Sequence, residues 1–164
     1  MPDSHATPEF DGEPITAEGL SALKAELGEL ETVARREMAA RILTARGHGD
    51  LKENAEYHAA KEDQAHLETR IKRLRQRLVN AVVVEPGAEA GGAVSFARPF
   101  EAVDEGTGET HRWTLVGAAE ADRAAGKLSA ESPVAKALLG ATLGEVVEIQ
   151  TPAGSRRLRI ERLL

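Results

Sequence analysis

The stretch Gly49-Asp50-Leu51-Lys52-Glu53-Asn54-Ala55-Glu56-Tyr57 decides the fold that this sequence predicts. It is a short acidic turn between two long segments in which apolar residues recur at helical spacing. Helices joined by a short turn pack antiparallel, because that arrangement buries both apolar stripes. We therefore expect an α-helical coiled-coil hairpin whose turn presents the carboxylates of Asp50 and Glu53.

Apolar stripes on both sides of the turn support this hairpin. The stripe of the first helix, over residues 17–45, consists of Leu20, Leu23, Leu27, Leu30, Ala34, Met38, Ile42 and Ala45. The stripe of the second helix advances in steps of four and three, typical of a heptad seam, and consists of Ala60, Gln64, Leu67, Ile71, Leu74 and Leu78. The flanking charges also match, because acidic residues near the start of the first helix face arginines near the end of the second. Closer to the turn the sign of the first helix reverses, with Arg35, Arg36, Arg41 and Arg46.

Capping residues set the predicted ends of the helices. Thr16 is placed as the N-cap of the first helix, and Asp50 as the N-cap of the second, with Glu53 at the capping-box offset. The second helix is expected to end near Asn80. Helix capping is thus one explanation of the acidic pair, and a functional role is the other.

Composition limits the classes of protein that this chain can belong to. The 164 residues carry a net charge of −6, which argues against nucleic-acid binding by bulk charge. The absence of cysteine excludes disulfides and thiolate metal sites. No apolar run approaches the roughly 20 residues that span a membrane, and the N-terminus lacks the regions of a secretory signal. The expectation is a cytoplasmic protein without a membrane partner.

Beyond residue 81 the pattern changes to short strands, with a glycine-rich linker predicted over residues 86–92. Residues 93–102 and 111–116 predict two strands, Ser132-Pro133 opens a short helix over residues 134–139, and residues 146–151 and 156–163 predict a hairpin. The predicted organisation is α+β: a disordered N-terminal extension over residues 1–14, the coiled-coil hairpin over residues 15–81, and a small α+β domain over residues 82–164.

Two stretches carry a resemblance to a known family. Residues 45–62, ARGHGDLKENAEYHAAKE, and residues 126–140, with Gly126-Lys127-Leu128-Ser129 and the run from Ser132 to Gly140, closely resemble the Gre family of bacterial transcript cleavage factors, the GreA branch more than the GreB branch. The resemblance covers residues 15–164. Gly47 departs from it, because the family more often has an acidic residue there.

The resemblance implies a function, a partner and a set of site residues. A family member inserts its hairpin into the secondary channel of RNA polymerase, and its FKBP-like C-terminal domain docks at the channel rim. Asp50 and Glu53 would then be the catalytic pair that helps hold a Mg²⁺ ion of the polymerase, while Arg46 and Lys61 would contact the 3′ end of backtracked RNA. The docking positions implied by the second signature are Ser132, Pro133, Ala135, Lys136, Leu139 and Gly140. The factor would act as a monomer and bind no metal alone.

Coordination chemistry agrees with an accessory role. Mg²⁺ prefers six oxygen ligands, of which proteins usually supply one or two as carboxylates, so Asp50 and Glu53 cannot enclose it alone. Hydrolysis by two metal ions would therefore need a partner's active site, and a free-standing nuclease is not expected. A zinc site at His48 and His58 is disfavoured by their separation and the lack of cysteine.

Other interpretations remain open. Tyr57 either stacks on an RNA base or packs beside the turn. The chain could instead inhibit polymerase from the channel without stimulating cleavage, or its hairpin could bind another target. A prolyl isomerase is disfavoured because only Phe96, Phe100 and Trp113 are available to line a proline pocket.

Overall fold

A computed structural model of the protein describes residues 10–87 and 91–164. The chain divides into two compact units: one is Leu20–Ala81, and the other combines Val82–Leu164 with the segment that ends at Gly19. Within the described residues, no helix has the length and apolar character needed to cross a lipid bilayer.

The first unit is the predicted helical hairpin. Its first arm consists of α1 (Ala17–Glu29), a π-helical segment (Leu30–Ala34) and α2 (Arg35–Arg46), and its second arm is α3 (Ala55–Asn80). Every residue of the two predicted apolar stripes is buried or half-buried. The hairpin prediction is therefore confirmed, including the end of the second helix at Asn80.

The π-helical segment accommodates an irregularity in the first stripe. From Leu30 the stripe continues to Ala34, Met38 and Ile42 in three successive steps of four. A heptad repeat alternates steps of three and four, so this run contains one extra residue. A π-helical turn holds one residue more than an α-helical turn. The wide turn at Leu30–Ala34 thus keeps α2 in phase with the seam on α3.

Ion pairs between the arms follow the predicted reversal of charge. Acidic residues of the first arm pair with arginines of α3, and further along the hairpin arginines of the first arm pair with acidic residues of α3. The pairs are Glu26–Arg70, Glu31–Arg75, Arg35–Glu68 and Arg41–Asp63. The two hydrogen bonds from Arg35 to Glu68, both 2.8 Å, lower the pKa of that carboxyl. Because these pairs are exposed, they contribute more to register than to stability.

A helix cap and a short strand pairing hold the start of the first arm, and only the cap was predicted. Thr16 caps α1 as predicted, since its Oγ1 accepts a hydrogen bond from the Gly19 N–H at 2.9 Å. The prediction of a disordered extension is wrong for Glu13 and Pro14, which belong to β1 (Glu13–Ile15). This strand pairs with β2 (Ala81–Val83), which supplies the backbone partners that a lone segment lacks. The remainder of the extension, residues 1–9, lies outside the described residues.

The second unit is built on a five-stranded sheet. Its strands are β3 (Pro99–Asp104), β4 (Thr110–Val116), β5 (Lys127–Ser129), β6 (Val146–Thr151) and β7 (Gly154–Leu163), in the order β5-β4-β3-β7-β6. Within this sheet β4 and β5 run parallel, and the other neighbouring strands pair antiparallel. The helix α4 (Pro133–Leu138) contributes Leu138 to a core that contains Phe100, Leu115 and Ile160. The α+β class is thus confirmed.

The largest differences from the predicted strands lie at the start of β3 and at β5. The strand expected over residues 93–102 starts only at Pro99, because the chain turns before it: the Arg98 N–H donates to the Ser95 carbonyl, and Ala97 adopts a φ of 61°. The three-residue β5 was not predicted, since it is too short to show alternation. Of the predicted linker over residues 86–92, residues 88–90 lie outside the described residues.

Candidate functional site

The tip loop, residues 47–54, joins the two arms of the hairpin. It ends at Asn54, which is the N-cap of α3, and the Asn54 Oδ1 accepts a hydrogen bond from the Tyr57 N–H at 3.0 Å. The prediction that Asp50 caps this helix is therefore wrong. Asn54 is an equally good capping residue, and it alone stands directly before the first helical residue.

Asp50 and Glu53 instead form a turn of their own. The Asp50 Oδ1 accepts the Lys52 N–H at 3.0 Å, and the Asp50 carbonyl accepts the Glu53 N–H at 3.3 Å. Such a side-chain turn fixes one carboxylate oxygen of Asp50, and the residue as a whole is exposed. Capping of α3 thus does not explain why the two acids stand three residues apart.

Both acids line one shallow depression at the tip, with a volume of about 410 Å³. Its other lining residues are His48, Asn54, Ala55 and Glu56. The His48 Nε2 lies 3.5 Å from the Glu56 carboxylate, which links the two ends of the loop. The depression therefore offers carboxylate oxygens, as would a partial metal site or a site that binds hydrogen-bond donors.

The two glycines of the loop differ in their structural need. Gly49 has a φ of 119°, a conformation that side chains oppose, so glycine is required there. Gly47 has a φ of −72°, and a Cβ at this position would lie 3.3 Å from the Thr44 carbonyl. The φ of Gly47 thus does not require glycine, but a side chain there would press on the Thr44 carbonyl.

The carboxylates of the tip fit part of a magnesium site. Within residues 10–87 and 91–164, no group of three or more His, Cys, Asp or Glu side chains is arranged to hold a metal ion. Two carboxylates match the usual protein contribution to Mg²⁺, with the remaining ligands supplied by water, phosphate or a partner. The donor set of Asp50 and Glu53 is therefore compatible with a shared ion.

The predicted RNA-contacting residues lie on both arms next to the loop. Arg46 is the exposed last residue of α2, and Lys61 is exposed on α3 with its Nζ 2.8 Å from the Gln64 Oε1. Tyr57 is half-buried and meets the ring of His58 edge to face, with centroids 5.6 Å apart. Packing beside the loop and stacking on RNA both stay predictions for Tyr57.

The predicted docking positions separate into two groups. Ser132 caps α4 by accepting the Ala135 N–H at 3.2 Å, and with Pro133 it lines a surface cavity. Ala135 and Leu139 are 0% and 7% exposed, so their prediction as docking contacts is corrected: they belong to the core beneath this surface. Lys136 is exposed and Gly140 is half-buried.

The cavity beside Ser132 was not anticipated from the sequence. It has a volume of about 540 Å³, and its apolar walls include Trp113, Leu128, Val134, Ile149 and Leu158. Arg123, Lys127 and Arg156 also line it, and among its described lining residues none is acidic. Because these residues come from β4, β5, α4, β6, β7 and loops, no local motif could have indicated the cavity.

Comparison with known proteins gives the same assignment for both halves of the chain. Residues 13–83 match the family "Transcription elongation factor, N-terminal", and residues 89–163 match "Transcription elongation factor, GreA/GreB, C-term". The chain is 45% identical over 147 residues to the transcription elongation factor GreA of Geobacillus kaustophilus, a match that covers 90% of this chain and 93% of the relative. It is 46% identical over 151 residues to GreA of Nautilia profundicola, covering 92% and 93%.

A solved structure is also similar in sequence. GreA factor homolog 1 of Thermus thermophilus is 28% identical and is matched over 93% of this chain and 99% of its own. The TM-score of 0.42 is too low for the superposition to carry an argument about function.

Proposed function

The chain belongs to the GreA/GreB family of transcription elongation factors, and from this premise we propose that it stimulates the RNA-cleaving activity of a backtracked RNA polymerase. The hairpin enters the secondary channel, and the tip loop reaches the polymerase active site. The protein is an accessory factor that acts as a monomer and has no nuclease activity of its own.

The observation that carries this proposal is the exposed acidic turn. Asp50 and Glu53 line the same depression, and Asn54 rather than Asp50 caps α3. Within residues 10–87 and 91–164, the carboxylate of Glu53 makes no ion pair or hydrogen bond. Two acids without a capping role are expected where their oxygens serve a partner.

The chemistry assigned to these residues is partial coordination. Asp50 and Glu53 would hold a Mg²⁺ ion together with the polymerase active site; bound there, this ion would supply activation of the attacking water, while another ion would stabilise the leaving oxygen. Asp50, whose Oδ1 is fixed by the Lys52 N–H, offers its Oδ2, and Glu53 offers its carboxylate from the same face of the turn. Arg46 and Lys61 attract the phosphates of the displaced RNA, an interaction that weakens as salt increases.

Docking is assigned to the surface around Ser132 and Pro133. The adjoining cavity combines apolar walls with Arg123 and Lys127, so it fits a polymerase segment that carries both apolar and acidic side chains. Lys136 adds a further cation on the exposed side of α4. Charge reversal at Lys127 is expected to weaken binding to polymerase without altering the tip.

The test is RNA cleavage in stalled, backtracked elongation complexes. Asp50→Asn and Glu53→Gln remove one charge each while keeping side-chain shape, and an asparagine at position 50 can still accept the Lys52 N–H. Glu62→Gln is the matched control, because Glu62 is exposed on α3 and does not line the depression. We expect wild type and Glu62→Gln to shorten RNA from its 3′ end at equal rates.

The two tip variants should bind polymerase with wild-type affinity and lose cleavage by at least about tenfold, in line with the loss of a metal-site contact. Wild type that binds polymerase and slows elongation without cleavage would overturn the proposal. Failure of the wild type to bind polymerase at all would direct attention to another target of the hairpin.

A further inference from the structure

We propose that Asn54 is a positioning residue that holds the tip loop in its active shape by joining the two arms of the hairpin. The inference rests on the proposed function, because it concerns how Asp50 and Glu53 are presented. Neither acid makes this connection itself: the hydrogen bonds of Asp50 stay within its own turn.

The side chain of Asn54 contacts both arms at once. Its Oδ1 accepts the Tyr57 N–H at 3.0 Å, which satisfies a free donor in the first turn of α3. Its Nδ2 donates to the carbonyl of Ala45 at 2.5 Å, in the last turn of α2. One amide thus partners a backbone group at each of two facing helix ends, because its oxygen accepts while its NH₂ group donates.

Burial makes these contacts difficult to replace with water. Asn54 is 8% exposed, in a loop whose other residues are exposed, and Ala45 in α2 is 4% exposed. The Ala45 carbonyl also accepts the His48 N–H at 3.2 Å, so both ends of the loop converge on this one oxygen. The loss of a buried hydrogen bond destabilises the local structure, so removal of the amide should loosen the loop at both ends.

The connection bears directly on the acidic pair. Glu53 immediately precedes Asn54. The hydrogen bond from the Glu53 N–H to the Asp50 carbonyl closes the turn. When Asn54 is free to move, the two carboxylates no longer keep a fixed separation. Catalytic groups displaced by about 1 Å lose on the order of a hundredfold in rate, although their chemistry is unchanged.

Two variants separate the contacts of Asn54. Asn54→Ala removes both, whereas Asn54→Ser keeps an acceptor for the Tyr57 N–H and loses the bond to the Ala45 carbonyl. Leu67→Ala is the control, because Leu67 lies on the seam of α3, away from the loop, and its truncation destabilises the hairpin in general. Circular dichroism sets an assay temperature at which all proteins are fully helical.

The main readout is the cleavage rate as a function of factor concentration. Asn54→Ala should lower the maximal rate at least tenfold while the half-saturating concentration stays within twofold of wild type, and Asn54→Ser should fall between them. Leu67→Ala should keep the maximal rate even if its melting temperature is lower. A role in folding alone would not separate the variants in this way.

Amide hydrogen exchange in the free protein gives a readout independent of polymerase. Asn54→Ala should accelerate exchange at Tyr57 and Glu53, and Leu67→Ala should not do so selectively. Wild type that fails to stimulate cleavage would overturn the proposed function, while the exchange data would still test the connection. If wild type cleaves and Asn54→Ala matches its maximal rate, or Leu67→Ala slows equally, the inference is overturned.

Discussion

Deletion of Thr32 from the π-helical segment tests why the first arm of the hairpin departs from α-helical geometry. The segment Leu30–Ala34 holds the extra residue that the stripe contains between Leu30 and Ile42. Thr32 is exposed, and its hydroxyl donates only to the Gly28 carbonyl one turn earlier. Its deletion should therefore convert the wide turn into a regular α-helical turn.

The expected effect is small, for a geometric reason. Deleting a residue from a regular α-helix rotates everything beyond it by about 100° and shifts it by about 1.5 Å. Here the rotation is already absorbed by the wide turn, so Met38, Ile42 and Ala45 stay on the seam. We expect the free energy of unfolding to change by about 0.5 kcal/mol or less, which is the range of ordinary surface substitutions.

Deletion of Lys72 is the matched control in the other arm. Lys72 is exposed on α3, where every turn is regular and no wide turn can absorb the change. The rotation would move Leu74 and Leu78 off the seam, and loss of one buried leucine contact costs about 2–5 kcal/mol. At about 2–4 °C per kcal/mol, the melting temperature should fall by roughly 4–20 °C.

Thermal unfolding followed by helical circular dichroism measures both deletions. Backbone NMR of the Thr32 deletion should show that the Arg35 N–H no longer bonds to the Leu30 carbonyl, as it does in the π-helical segment. Equal loss of stability in the two deletions would refute the reasoning, because it would mean that the wide turn does not absorb the extra residue.

Two further predictions concern the second unit and the start of the hairpin. The hydrogen bond from Arg156 and, to a smaller extent, that from the Gly106 N–H lower the pKa of Asp104 in the folded protein. The ionised carboxylate therefore stabilises the fold fully above the ordinary aspartate pKa of about 3.9. This stabilisation is lost as the pH falls through the lower pKa of the folded state. Wild type and Asp104→Asn should thus converge in melting temperature at low pH, and a constant gap would contradict this. Thr16→Ala removes the cap of α1 and the hydrogen bond to Glu120. Urea denaturation should therefore show that the free energy of unfolding falls by about 1 kcal/mol. An unchanged midpoint would show that the cap is dispensable.

The two packed helices and the start of α4 were predictable because the sequence patterns that indicate them are local. The spacing of Leu23, Leu27, Ile71 and Leu74 indicated two packed helices, and Ser132 followed by Pro133 indicated the start of α4. The extra residue in the first stripe was also present in the sequence as three successive steps of four. It indicates a phase shift, but the spacing alone does not say which turn absorbs it.

The tertiary structure alone decided two kinds of feature. One is the choice between residues that could each fill the same role, and the other is a site built by segments far apart in the chain. Asp50 and Asn54 are both good capping residues, and the choice of Asn54 depends on the Ala45 carbonyl, which the packing of the two arms brings within reach of its amide. The cavity beside Ser132 likewise needs walls from strands far apart in the chain. The sequence by itself determined the hairpin, its seam and the acidic turn, since helical periodicity and turn chemistry act over a few residues. Packing decided which residue closes the loop and where the cavity beside Ser132 forms, since these depend on distances between segments.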